Sequence, residues 1–270
     1  MAWWLWPHVL SLDAPIVAVV WQHWWATIAG AKLLWFHDVI LALAVWMIYL
    51  ADRLADTRNA VCHAPETARH AFSARHRRAL TPLLACVVLF LTVLTPAALS
   101  RREFEAGLGL LLVAGGYFWL IHRPQRSRQV GPASKEAFVG AIFALGTAFF
   151  ATWRSGPPSA LVLGSEVMFA LLCFLNCALI TQWEGAATEP DSHLSRFRPS
   201  GRLGIGCMWL AAAAGLLAIG SGSAALAPIA LGALALAWLD RQRAWFSPNA
   251  LRVLADLALL APLLCGGWLR

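Results

Sequence analysis

Charge is scarce in this chain: Asp, Glu, Lys and Arg make up only 13% of its 270 residues. A water-soluble domain of this size needs more polar surface than that to cover its core. Cys-x-x-Cys pairs are absent; the six cysteines stand at positions 62, 86, 173, 177, 207 and 265, most of them inside apolar blocks. That pattern argues against a disulfide framework or a zinc site and leaves small core residues. His63, His70 and His76 fall near Cys62, but their spacing matches no zinc pattern. Lys and Arg are missing from residues 1–12, so the charged start of a secretory signal is lacking and no cleaved leader is expected. The apolar runs lack the alternation of a barrel strand.

Long apolar blocks are what the chain does have. Hydrophobic residues supply 60% of it, and the mean hydropathy is +0.64. They gather in blocks of roughly 17 to 22 residues, enough at 1.5 Å per helical residue to cross about 30 Å of hydrocarbon. A helix satisfies its own backbone hydrogen bonds in lipid, so the pattern predicts an all-α membrane bundle. Nine spans are expected, at residues 10–28, 33–51, 80–98, 106–121, 137–152, 160–181, 203–219, 224–239 and 251–268.

Four longer loops, 52–79, 122–136, 182–202 and 240–252, hold most of the arginines and all fall on one side. The positive-inside rule makes that side cytoplasmic, with the N-terminus inside. The chain then reads as a multi-pass protein, of the inner membrane if the source is bacterial. The net charge of +7 and pI near 9.6 do not imply nucleic acid, because the arginines hug span ends instead of forming one basic domain. Lipid headgroups, topology and an anionic substrate account for them. The tryptophans read mostly as interfacial belts.

The second span ends in Trp46-Met-Ile-Tyr49-Leu-Ala-Asp52-Arg53-Leu-Ala-Asp56-Thr-Arg58. Asp52 and Asp56 share a helix face, and two carboxylates held that close repel unless a cation sits between them. Mg²⁺ suits such a pair, since it takes one or two carboxylates and completes its shell with water and substrate phosphate. The other reading pairs both aspartates with Arg53 and Arg58 at a span end. The sixth span closes comparably, with Asn176, Gln182 and Glu184, followed by Glu189 and Asp191. A weak duplication, 33–152 against 160–270, would place Asp56 and Glu184 in matching positions. Trp46 and Tyr49, on the approach to Asp52, are candidates to line an aromatic pocket beside it. Asp13, Gln22, His23, Asp38, Glu166 and Asp256 are expected to face the bundle interior or an interface, because a lone carboxylate costs about 2.5–3.5 kcal/mol at a span centre. Asp13 suits a helix cap, and Asp256 is expected to pair with Arg252, one turn earlier.

The layout resembles the UbiA superfamily of intramembrane prenyltransferases, whose two aspartate-rich motifs follow the second and sixth of nine helices. Asp52 and Asp56 match the first motif, with Ile48 and Tyr49 where Asn and Asp are usual. Asn176 and Glu184 match the second, with Cys177 and Ile180 at the intervening acidic positions. The resemblance implies a single domain over residues 1–270 with a central cavity open to the cytoplasm. It implies Mg²⁺-dependent transfer of a prenyl group from a polyisoprenyl diphosphate to a lipophilic acceptor. Asp52, Asp56 and Glu184 would hold the metal, Asn176 would complete the site, and Arg58, Arg126 and Lys135 would grip phosphate. The departures from the motifs leave room for one metal only, or for a non-catalytic relative of the same fold that binds or moves a lipid or ion.

Overall fold

The computed structural model describes residues 6–59, 68–121, 132–156, 158–188 and 201–266. Among these the chain is helical, with no strand. We number the helices α1 (Trp6–Val9), α2 (Asp13–Ala29), α3 (Trp35–Asn59), α4 (Ala68–Arg75), α5 (Arg77–Ala98), α6 (Arg101–Ile121), α7 (Pro132–Ser155), α8 (Ala160–Thr188), α9 (Arg202–Ser221), α10 (Ala227–Gln242) and α11 (Pro248–Ala258). Short 3-10 turns at Ala224–Leu226, Arg243–Trp245 and Ala261–Cys265 join or follow the last of these.

Among the described residues, six helices are long and apolar enough to cross a membrane: Arg77–Ala98, Arg101–Leu120, Ser134–Ser155, Ala160–Gly185, Arg202–Ser221 and Ala224–Trp245. They are compatible with a multi-pass integral membrane protein. The other three expected spans have a different make-up. The block at 10–28 forms a 17-residue helix. The block at 33–51 runs on to Asn59 and carries its charges with it. The block at 251–268 breaks after Ala258, four residues before Pro262, whose missing N–H is the one that would bond the Ala258 carbonyl.

Helix α2 carries three core tryptophans. Trp21 stacks on Phe169 of α8 with ring centroids 3.8 Å apart, and its indole N–H donates to the Leu259 carbonyl at 2.7 Å. Trp24 donates to the Ala225 carbonyl before α10, and Trp25 to the Thr147 hydroxyl of α7. These three rings sit in the core with Leu172, Leu179, Cys207, Ile229, Leu236 and Ala255. The interfacial-belt reading therefore fails for α2, and for the buried Trp183, whereas Trp35, Trp119, Trp209, Trp238 and Trp245 are exposed. Each buried indole finds an acceptor, which is what makes so polar an edge tolerable inside the bundle. Close helix approach is set by glycine: a Cβ at Gly140 of α7 would stand 2.8 Å from the Ala170 carbonyl and the Phe174 amide of α8. Gly30 ends α2 in the left-handed region, at φ 65°, and turns the chain into α3.

Candidate functional site

The polar groups gather at two levels of the bundle, and one of them includes the ends of α3 and α8. There, the first turn of α7 meets the last turns of α8: Thr181 donates its hydroxyl to Glu136 Oε1 at 3.1 Å. Two residues on, Trp183 donates its indole N–H to Asp240 Oδ1 at 3.1 Å, and Arg243 reaches the same oxygen at 3.3 Å. Asp240 is buried and lies against Gly204 at the start of α9, where a Cβ would fall 2.5 Å from its Oδ2. Glu184 makes an ion pair with Arg252 of α11. One turn further in on α11, Asp256 Oδ1 accepts from the Asn176 amide at 3.4 Å. The C-terminal ends of α8 and α10 and the N-terminal ends of α7, α9 and α11 thus share one level.

Below it lies a cavity of about 30 Å³ lined by Ala14 and Val17 of α2, Tyr49 of α3, Val139, Gly140 and Phe143 of α7, Cys173, Asn176 and Cys177 of α8, and Asp256 and Leu259 of α11. That is room for about two water molecules. A second cavity, of about 40 Å³, lies between α3 and α1, α4 and α5, and is lined by Trp46, Arg53, Phe72 and Ser73 among others. Arg53 is buried there and donates to the Val9 carbonyl at 2.9 Å.

Those residues singled out from the sequence that are described can be located against these features. Tyr49 and Asn176, one from each motif, line the same cavity. Trp46 does not join them: it faces the second cavity and donates to the Leu10 carbonyl at 2.9 Å. Asp52 lies one turn beyond Tyr49 on α3 and is half-buried. Asp56 and Arg58 continue the same helix, with side chains outside the described residues, as is Arg126 altogether, together with Glu189 and Asp191. Lys135 is exposed on the first turn of α7, within electrostatic reach of Cys177. Among the described residues no three His, Cys, Asp or Glu side chains converge on one metal position. Arg252 bonds Glu184, so the expected pairing within α11 gives way to one between helices: at the end of α8 a carboxylate lies within reach, and Asp256 is turned toward Asn176. Asp13 opens α2, where its carboxylate accepts from the Ala14 amide at 3.0 Å.

Sequence reasoning passed over Glu136 and Asp240, both buried at this level. Asp240 had a signal: it ends a span and is followed three residues later by Arg243, the spacing of an ion pair on one helix face. Glu136 had none, since its partner Thr181 lies on another helix.

The opposite level is built differently. Ser100 donates its backbone N–H and its hydroxyl to Glu103 Oε2, at 2.9 and 2.6 Å, in a box that starts α6. Arg154 reaches Glu103 at 3.4 Å and the Lys32 carbonyl at 2.9 Å. Nearby on α2 and α3, Asp38 Oδ1 accepts from Gln22 at 2.7 Å and lies 3.0 Å from His23 Nε2. These groups tie loops and helix starts together. Comparisons with protein-family models, with curated proteins and with solved structures return no match to this chain.

Proposed function

We propose that the chain is a UbiA-like membrane protein of nine spans, N-terminus in the cytoplasm, that carries out Mg²⁺-dependent transfer of a prenyl group from a polyisoprenyl diphosphate to a lipophilic acceptor. One observation carries this reading: Tyr49 of the first motif and Asn176 of the second line one cavity, under a level rich in carboxylates and cations. The exposed Arg75, Arg78, Lys135, Arg202 and Arg241 suit an anionic substrate arriving from the same side.

The donor set fits one Mg²⁺ better than two. Asp52 and Asp56 would hold it with hard carboxylate oxygens, and the ion would offset the charge of the leaving diphosphate. Glu184 would reach a metal only by releasing Arg252. Arg58, Arg126 and Lys135 would bind and orient the phosphates by charge-assisted hydrogen bonds. Tyr49 and Phe143 would turn aromatic faces toward an allylic group entering the cavity. With about 30 Å³ free, the helices around Gly140 and Leu259 would have to part to admit the prenyl chain.

That small volume, and the counter-ion Glu184 already has, favour a second reading: a non-catalytic UbiA-like protein that binds or moves an ion or a lipid. Purified protein in lipid nanodiscs, given allylic diphosphates of increasing chain length, separates the two. Under the first reading pyrophosphate is released with Mg²⁺ and not with EDTA, and Asp52→Asn or Asp56→Asn lowers turnover by about 10²-fold. Absence of release at every chain length, with both variants folded and indistinguishable from wild type, would leave the second.

A further inference from the structure

We infer that the corner between α4 and α5 is a docking site for an anionic phospholipid, with Arg75, Arg77 and Arg78 on its phosphate and an acyl chain along α5. The three arginines fall within four residues; Arg75 and Arg78 are exposed and Arg77 is half-buried. Several other arginines find acceptors in the protein: Arg53 in the Val9 carbonyl, Arg101 in Glu105, Arg154 in Glu103 and Arg252 in Glu184. Among the described residues no carboxylate pairs with the three at this corner. Like charges crowded without a counter-ion repel one another, and an anion from outside relieves that repulsion.

The backbone adds to that charge. Arg77 opens α5, and His76 before it supplies no side-chain cap to the first amides of the helix. The positive end of the helix macrodipole therefore lies at the same corner as the three guanidinium groups. A row of rings flanks it: His76 stacks on Phe72 with centroids 4.2 Å apart, and Phe72 meets Trp6 of α1 edge-on at 6.1 Å. Trp6 is exposed, and an exposed indole beside a cationic span end sits at the depth of lipid headgroups.

What continues from the arginines selects the kind of anion. Arg77 is the first residue of an apolar helix of membrane-crossing length that is only 6% buried, so the charge stands where the hydrocarbon begins. From Arg78, helical spacing leads along one face to Pro82, Ala85, Leu89 and Val93, and all four are exposed. The small Ala85 between Pro82 and Leu89 leaves a shallow track directly below the arginine. A cationic head over an apolar track matches a molecule with phosphate at one end and a chain at the other; free phosphate would leave the track unused. The inference does not rest on prenyl transfer, and a prenyl diphosphate enters its test as a competitor.

The test is native mass spectrometry of the full chain, released from detergent micelles that hold equimolar phosphatidylglycerol and phosphatidylcholine with the same acyl chains. Wild type is expected to retain phosphatidylglycerol in preference, and combining Arg75→Gln with Arg78→Gln to weaken its binding by about 5-fold per arginine removed. Arg101→Gln with Arg102→Gln, at the start of α6 on the opposite level, should keep the preference. Should the first double variant fail to fold, photoactivatable phosphatidylglycerol crosslinked to wild type decides: label concentrated on residues 75–93 supports the site, and label spread evenly over the apolar helices overturns it. Equal retention of the two lipids, or a preference that survives in the folded Arg75 and Arg78 double variant, also overturns it. Replacement of the bound phosphatidylglycerol by equimolar farnesyl diphosphate would assign the corner to a diphosphate substrate and overturn the phospholipid.

Discussion

Helices α5 and α8 are about equally apolar, yet only 6% of the α5 span is buried against 44% of the α8 span. The span containing α6 matches α5 at 6%, and the one containing α10 reaches 56%. The difference lies in what interrupts the apolar residues. Helix α8 carries Asn176, Thr181, Trp183 and Glu184, each with a partner on another helix. Helix α5 carries Pro82, Pro96 and threonines that bond back to their own helix. In lipid, burying an apolar side chain against protein gains little over leaving it in the acyl chains, so shape and interhelical hydrogen bonds decide which helices pack. Helices α5 and α6 leave most of their surface outside the bundle, α5 packing Val87 and Leu91 against Ile40 and Phe150, and the site is built without them.

The sharpest way to break this contrast is to truncate one large apolar residue on each side. Trp21→Ala removes a fully buried ring, its stack on Phe169 and its bond to Leu259, and is expected to cost about 3–5 kcal/mol. Leu89→Ala on α5, at a residue 66% exposed, is expected to change stability by less than about 0.5 kcal/mol. Both are read from chemical unfolding in detergent; a comparable loss at Leu89 would mean that this face of α5 packs against a partner.

A smaller effect comes from adding volume. Gly140→Val drives a side chain into the α8 backbone and is expected to cost about 1–3 kcal/mol. Gly109→Ala on α6, where a Cβ meets nothing within 4 Å, is expected to be neutral or to stabilise by up to about 1 kcal/mol through helix propensity. Tm differences between the two variants and wild type check the pair, and a destabilised Gly109→Ala would count against a lipid-facing α6.

Ion pairs supply the gentlest version of the comparison. Arg252→Ala removes the part-buried ion pair that joins α11 to Glu184 of α8, and a loss of about 1–3 kcal/mol is expected. The exposed Arg101–Glu105 pair on α6, at 2.8 Å, should yield only about 0.3–0.5 kcal/mol on Arg101→Ala. Double-mutant cycles with Glu184→Gln and Glu105→Gln measure both couplings directly, and equal values would remove the distinction between the two regions.

Much of the helix layout was legible along the chain, because the length of an apolar block is a local property set by rise per residue and bilayer thickness. It misled where local properties do not suffice. The block at 251–268 is long enough in composition, yet Pro262 breaks it. Trp21, Trp24 and Trp25 have the make-up of a membrane-interface cluster, and only α7, α8 and the flanks of α10 and α11 closing around them make them core. At the candidate site, Tyr49 and Asn176, singled out from the spacing at two helix ends, line one cavity. The spacing did not separate Trp46 from Tyr49, which line different cavities.

The amino-acid sequence by itself determined an all-helical chain with apolar helices of membrane-crossing length, since hydrogen bonding in lipid leaves the backbone no other local option. The tertiary structure decided which carboxylate meets which donor. Glu184 with Arg252, Asp240 with Trp183, and Asp256 with Asn176 join residues 57 to 80 positions apart, and no periodicity along one helix encodes the rotation of another.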